Sequence, residues 1–327
     1  MIPQIGLYKG EEAIVFESET LMVKIIPGWG AKIASIVFKP QSHELLWQKE
    51  GTVYQKSSYG GNYVEAECSG FDDMFPSINR CYYQDYPWAG AEIPDHGEVW
   101  SLPWKYEIDK DRVTFSVHGI RLPYTLQKTI FVKNNTICIA YSASNHSPFD
   151  MDTIWAAHPL FNASPGMEFV VPAVMNTIVN AYAGAVISEY GKLYDFPIIE
   201  DRTGGCINIA VMPEEGTTCY AKYYFAGRVT EGWCLLYDKM RNLNIGFSFP
   251  KEAVPYLGMW MHAGGMLEGH YNIAPEPATG AMDGIDLARA WGTMGELKAF
   301  GTNKWFLNIS VREGEKAAGL HENGDFI

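Results

Sequence analysis

Long runs of any one kind are what this sequence lacks. No basic block occurs in it, and 25 Lys and Arg face 38 Asp and Glu for a net charge of −13. Nucleic acids and anionic membrane surfaces are gripped mainly through Lys and Arg, so neither is an expected partner. No apolar stretch approaches the ~20 residues of a membrane-spanning helix. The opening segment, Met1 to Glu12, lacks the basic-then-apolar order of a secretory signal. The six cysteines (Cys68, Cys81, Cys138, Cys206, Cys219, Cys234) include no Cys-x-x-Cys pair. In a large chain without a signal they are expected to be reduced and packed, which makes the cytoplasm the expected location. No internal repeat, low-complexity tract or Pro/Gly/Ser linker parts the chain, so residues 1–327 are expected to form a single domain.

Helical periodicity is equally scarce. Only Asp283–Trp291 shows it, with Ile285, Leu287, Ala288 and Ala290 for apolar contacts and Gly292 as a stop. Short β-rich runs separated by turns dominate instead. Ala13–Phe16, Leu21–Ile26 and Lys32–Phe38 come first. Trp104–Ile108 and Val113–Val117 flank a turn at Asp109-Lys110-Asp111, and Tyr124–Val132 and Thr136–Ser142 flank Lys133-Asn134-Asn135. Thr153–Ala157, Glu168–Val171, Cys206–Val211, Thr218–Phe225, Trp233–Tyr237 and Leu243–Phe249 continue the series. The expected fold class is mainly β, two large antiparallel sheets packed as a sandwich. The long loop from Gln55 to Trp100, rich in Gly, Tyr, Asp and Pro, is expected to carry function rather than fold.

Hydrophobic residues make up 47% of the chain and aromatics 14%, with ten Trp and nineteen Tyr. Much of that is core, and the Trp near polar loops leave room for a surface on which a sugar could stack. Three residues stand in polar or turn-forming breaks between strand-like runs: His96 in Pro-Asp-His-Gly-Glu-Val-Trp, His158 in Ala-Ala-His-Pro-Leu-Phe-Asn, and Glu276 in Asn-Ile-Ala-Pro-Glu-Pro-Ala. A carboxylate with one or two imidazoles suffices to move two protons near neutral pH without a cofactor. Asp72 and Asp73 have no third ligand at suitable spacing, so no metal is expected.

At these residues the sequence resembles the aldose 1-epimerase, or galactose mutarotase-like, family. The run from Leu21 through Pro27-Gly28-Trp29-Gly30 to Ile36 is similar to the family's opening strand pair. Phe75-Pro76-Ser77-Ile78-Asn79-Arg80 resembles the segment supplying a sugar-contacting Arg, and His96-Gly97 follows it. His158-Pro159-Leu160-Phe161-Asn162 resembles a His-Pro-Tyr-Phe-Asn element, Glu276-Pro277 the C-terminal Glu motif, and Trp305–Val311 the closing strand. The resemblance spans roughly residues 20 to 311.

It implies a galactose mutarotase-like supersandwich that interconverts α and β hexose anomers without a cofactor, as a monomer or homodimer. Glu276, stiffened by Pro275 and Pro277, is the implied general base, and His158 the implied general acid. His96, Arg80 and Trp260 are the implied sugar contacts, Trp260 as a stacking platform. An ion pair with Asp72 or Asp73 is the other use open to Arg80. Alternatives are a non-catalytic sugar-binding or sensing protein on the same scaffold, and an epimerase of a phosphorylated or acidic sugar. A glycoside hydrolase would pair Glu98 with Glu276 and leave both histidines idle. Leu160 in place of Tyr removes a hydroxyl, so weak discrimination between glucose and galactose, or a modified hexose as substrate, is expected.

Overall fold

Alternate side chains of a strand point to opposite faces, and Tyr124–Lys133 shows what that does to this sequence. Tyr124, Leu126, Lys128, Ile130 and Val132 are buried, while the residues between them are half-buried or exposed. One member of the buried row is a lysine, which must find a partner inside. It does: Lys128 Nζ lies 2.7 Å from Asp73 Oδ2, and Trp155 Nε1–H donates to Asp73 Oδ1 at 2.9 Å.

The computed structural model describes residues 2–201 and 204–327. Two antiparallel sheets dominate, one of thirteen strands and one of eight. The smaller runs in the order Glu168–Val170, Trp233–Asp238, Leu243–Ser248, Thr302–Glu313, Thr136–Asn145, Tyr124–Lys133, Arg112–His118, Lys105–Asp109. The middle of the larger runs Lys32–Phe38, Phe71–Met74, Ala156–Pro159, Asn272–Ala278, Tyr256–Gly264, Cys219–Phe225. Side chains of both meet in one core, where Phe161 stands edge-on to Phe247 at 5.6 Å and Tyr141 packs against Trp155 at 4.8 Å. The fold is a β-sandwich with one α-helix among the described residues, Ile285–Trp291.

That helix begins two residues later than its periodicity suggests. Met282 and Asp283 both have positive φ (75° and 67°), so the helix starts after Gly284 and ends at Gly292, itself at φ 66°. Thr153–Ala157 is likewise two strands, Met151–Thr153 and Ala156–Pro159, and only Cys206–Asn208 of Cys206–Val211 is strand. The Gln55–Trp100 segment is not all loop: Phe71–Met74 is a fully buried strand of the large sheet. The six cysteines are free, four of them buried. No helix among the described residues is long and apolar enough to cross a membrane.

Candidate active site

Proline inside a central strand removes a ladder donor, yet Pro275 and Pro277 both lie in Asn272–Ala278. On one side this strand pairs in full with Tyr256–Gly264, Glu276 opposite Gly258. On the other it has registered partners only at Asn272, Ile273 and Ala278, so the prolines fall in the gap between them. Glu276 stands between the prolines, fully buried.

Its carboxylate has two partners. His158, from the adjacent strand Ala156–Pro159, places Nδ1 2.9 Å from Glu276 Oε1. Lys222, from Cys219–Phe225, places its ammonium against Glu276 Oε2. Burial works against the charge of Glu276, but Lys222 and the His158 hydrogen bond outweigh it and hold the carboxyl at about 2. An ionised carboxylate only accepts, so the proton between the two residues sits on His158 Nδ1. Burial also pushes the His158 pKa below 6.5, against the pull of Glu276, and its Nε2 makes no hydrogen bond within the described residues. His158 is therefore a neutral imidazole whose unprotonated nitrogen is free.

Lys222 Nζ is also 3.7 Å from Asp283 Oδ1, which accepts from the Tyr224 hydroxyl. Asp283 and Glu276 together raise the Lys222 pKa despite its burial. The positive-φ turn at Asp283 has a second consequence. Its carbonyl oxygen accepts the N–H groups of Ile78 (3.0 Å) and Asn79 (2.7 Å), and the Ile78 carbonyl accepts His96 N–H at 2.6 Å. The lysine–carboxylate cluster and the backbone carrying His96 are thus one connected unit.

His96 sits at φ 60° and Gly97 at 74°. A Cβ on Gly97 would meet the Phe75 carbonyl oxygen at 2.3 Å, so only glycine lets the loop close against the backbone at Phe75. His96 Nδ1 is 2.9 Å from Asp95 Oδ2, and the Asp95 pKa, raised by burial, ends below its ordinary value because His96 outweighs it. The His96 ring stacks on Tyr63 (3.8 Å between centroids, 8° between planes). Tyr63 is held in turn by its hydroxyl on Asp72 Oδ2 at 2.9 Å, beside the buried Lys32–Asp72 pair. The rings of His96 and His158 are 5.4 Å apart.

Both histidines, Glu276, Lys222, Asp283 and Trp260 line one cavity of about 210 Å³. Trp260 is half-buried and fixed by its Nε1–H on Asn272 Oδ1 (3.2 Å). Of the five residues singled out in the sequence, the structure brings together Glu276, His158, His96 and Trp260. Arg80 lies outside, mostly exposed, with its guanidinium 2.7 Å from Glu92. Asp72 and Asp73, the partners considered for it, are occupied by Lys32 and Lys128. Glu98 is also outside: it is fully buried and accepts from the Tyr59 and Tyr124 hydroxyls and from Arg121 N–H, so it cannot flank a scissile bond with Glu276. Among the described residues no His/Cys/Asp/Glu cluster is arranged for a metal ion.

Lys222 and Asp283 are the residues that the sequence reading missed. A signal existed for Lys222, the one cation in Cys-Tyr-Ala-Lys-Tyr-Tyr-Phe, since a lysine buried in such a run demands an acidic partner. Asp283 offered none, because it reads as an ordinary residue at a helix start.

No protein-family model and no curated protein matches the sequence. Solved structures do. A protein from Klebsiella pneumoniae subsp. pneumoniae, named provisionally as an aldose 1-epimerase, superposes with a TM-score of 0.70 at 12% identity, over 93% of this chain and 80% of its own. A galactose mutarotase related enzyme from Lactobacillus acidophilus gives 0.65 at 14% identity, over 93% and 98%. A galactose mutarotase-like protein from Lactobacillus casei gives 0.65 at 18% identity, over 92% and 100%. What is shared at such identities is the fold. This chain has the galactose mutarotase-like fold.

Proposed function

We propose, with that fold as premise, that the chain is a cofactor-independent aldose 1-epimerase acting on a monosaccharide. One observation carries the reading: two imidazoles, each bonded to a carboxylate (His158 to Glu276, His96 to Asp95), face a single cavity with their rings 5.4 Å apart. Ring opening of a pyranose moves two protons, one off the C1 hydroxyl and one onto the ring oxygen. Both oxygens are bonded to C1, so groups each about 3 Å from one of them must themselves be close neighbours. Two imidazoles at this separation meet that requirement.

The pairing redistributes the roles that the sequence suggests. Glu276, held at about 2 with both oxygens engaged, is too weak a base to take a hydroxyl proton efficiently, and is better suited to orient His158. His158 Nε2 takes the proton of the C1 hydroxyl. As the C1–O5 bond breaks and the C1–O1 bond becomes a carbonyl, His96, its Nδ1 held by Asp95, delivers a proton to O5. Rotation about C1–C2 and the reverse transfers close the ring as the other anomer. Trp260 supplies an aromatic wall for C–H faces of the sugar.

The test is polarimetry on freshly dissolved α-sugars. Enzyme in catalytic amount should raise the relaxation rate in proportion to its concentration. Sugar affinity without any rate change would make the chain a binding protein on the same scaffold.

A further inference from the structure

The polar groups of the cavity are largely spent on one another. Both Glu276 oxygens are taken by His158 and Lys222, Lys222 is neutralised by Glu276 and Asp283, and Tyr224 occupies Asp283 Oδ1. With the two imidazoles assigned to O1 and O5, the capacity left for other hydroxyls is the remaining ammonium protons of Lys222, Asp283 Oδ2 and the Asn79 amide, with the Tyr182 hydroxyl and His270 Nε2 as further polar groups of the lining. The first three lie together, since Asn79 N–H is bonded to the Asp283 carbonyl at 2.7 Å. They make one polar patch, enough for a pair of neighbouring hydroxyls.

Much of the remaining lining is apolar. Leu160 and Cys68 belong to a packed cluster on which Trp260 rests, and Val64, Met266 and Leu267 continue the wall. A hydroxyl turned toward these apolar side chains, rather than toward Tyr182 or His270, would shed its water and gain no partner. An anionic substituent fares worse. No arginine lines the cavity, Arg80 being paired with Glu92 outside it, and the single lysine already has two carboxylates.

We infer that the substrate is a neutral deoxyhexose, a sugar lacking one hydroxyl whose methyl or methylene edge packs on Leu160, Met266 and Trp260. The inference rests on the epimerase reading above. It accounts for Leu160, which leaves an apolar surface beside His158 where a tyrosine would offer a hydroxyl. It also sets phosphorylated and acidic sugars aside.

The experiment compares kcat/KM for anomer interconversion of D-galactose with 6-deoxy-D-galactose, and of D-glucose with its 6-deoxy and 2-deoxy forms. Glucose 6-phosphate and glucuronate complete the panel. At least one deoxysugar should exceed its parent by on the order of 10- to 100-fold, the range an apolar pocket achieves against an added hydroxyl. The two anionic sugars should relax at their spontaneous rates. Parent hexoses equal to or faster than all their deoxy analogues would overturn the inference and leave the epimerase reading intact, as would acceleration confined to the anionic pair. Acceleration of no sugar at all would overturn both. Leu160→Asn, which adds an amide to the wall, should move the preference several-fold toward the parent hexose. An unmoved ratio in a folded variant would show that the wall does not set the choice.

Discussion

His158 Nδ1 stands 2.9 Å from Glu276 Oε1, so the two residues expected to face a sugar as separate acid and base are bonded to each other. The imidazole then presents only Nε2 to the cavity. Its pKa is pushed below 6.5 by burial, against the pull of Glu276. Base catalysis through Nε2 requires the neutral ring, so activity is lost as pH falls through that pKa. The acid limb of the kcat/KM profile should accordingly lie below pH 6.5. An acid limb at or above pH 7 would assign the base elsewhere.

Glu276→Gln leaves one acceptor oxygen for two donors, so with that oxygen on the Lys222 ammonium the amide NH2 opposes His158 Nδ1 and the tautomer is no longer fixed. The expected fall in kcat is on the order of 100-fold or more, with sugar affinity largely kept. The variant also leaves Lys222 buried with only Asp283, 3.7 Å away, as its acidic partner. Breaking a buried pair in this way costs about 3–5 kcal/mol, which urea unfolding at neutral pH would measure. Near-normal turnover would remove Glu276 from the mechanism.

Lys222→Met tests the cation that keeps Glu276 ionised. A carboxyl held at about 2 rather than 4.5 contributes stability that is complete above the higher value and lost as pH falls toward the lower. Wild type should therefore be the more stable protein at pH 7, by a margin below the roughly 3 kcal/mol of the whole shift, because His158 shares it with Lys222. That margin should close between pH 4.5 and about 2. Denaturant midpoints of both proteins at pH 7, 5 and 3 would show it. A margin independent of pH would mean that Lys222 contributes packing alone.

The sandwich was legible in the sequence because its period-2 rows are long. Tyr124–Lys133 and Thr136–Asn145 pair through ten registered positions around a turn whose Asn134 has φ 53°, and that pattern admits no other reading. Strands that carry chemistry were harder to see. Asn272–Ala278 holds two prolines, which argue against a central strand unless a neighbour is known to be missing on one side. Phe71–Met74 carries two adjacent aspartates that become tolerable only through Lys32 and Lys128, from Lys32–Phe38 and Tyr124–Lys133. His96, His158, Glu276 and Trp260 were each visible as candidates, and the sandwich places all four around one cavity. That Glu276 is claimed by Lys222 depends on how strands more than fifty residues apart are ordered in the sheet, which no local pattern encodes.

Exchange between the α and β anomeric proton signals, followed by NMR at equilibrium, tests the central claim most directly, because it reads ring opening without a coupled assay. Wild type should raise the exchange rate linearly with enzyme concentration. His158→Asn and His96→Asn should each lower it by a factor on the order of 100. The double variant should leave only the spontaneous rate, while sugar-induced shifts of the Trp260 indole signal persist. Exchange unchanged by wild type, with those indole shifts present, would contradict the account and leave a sugar-binding protein in its place.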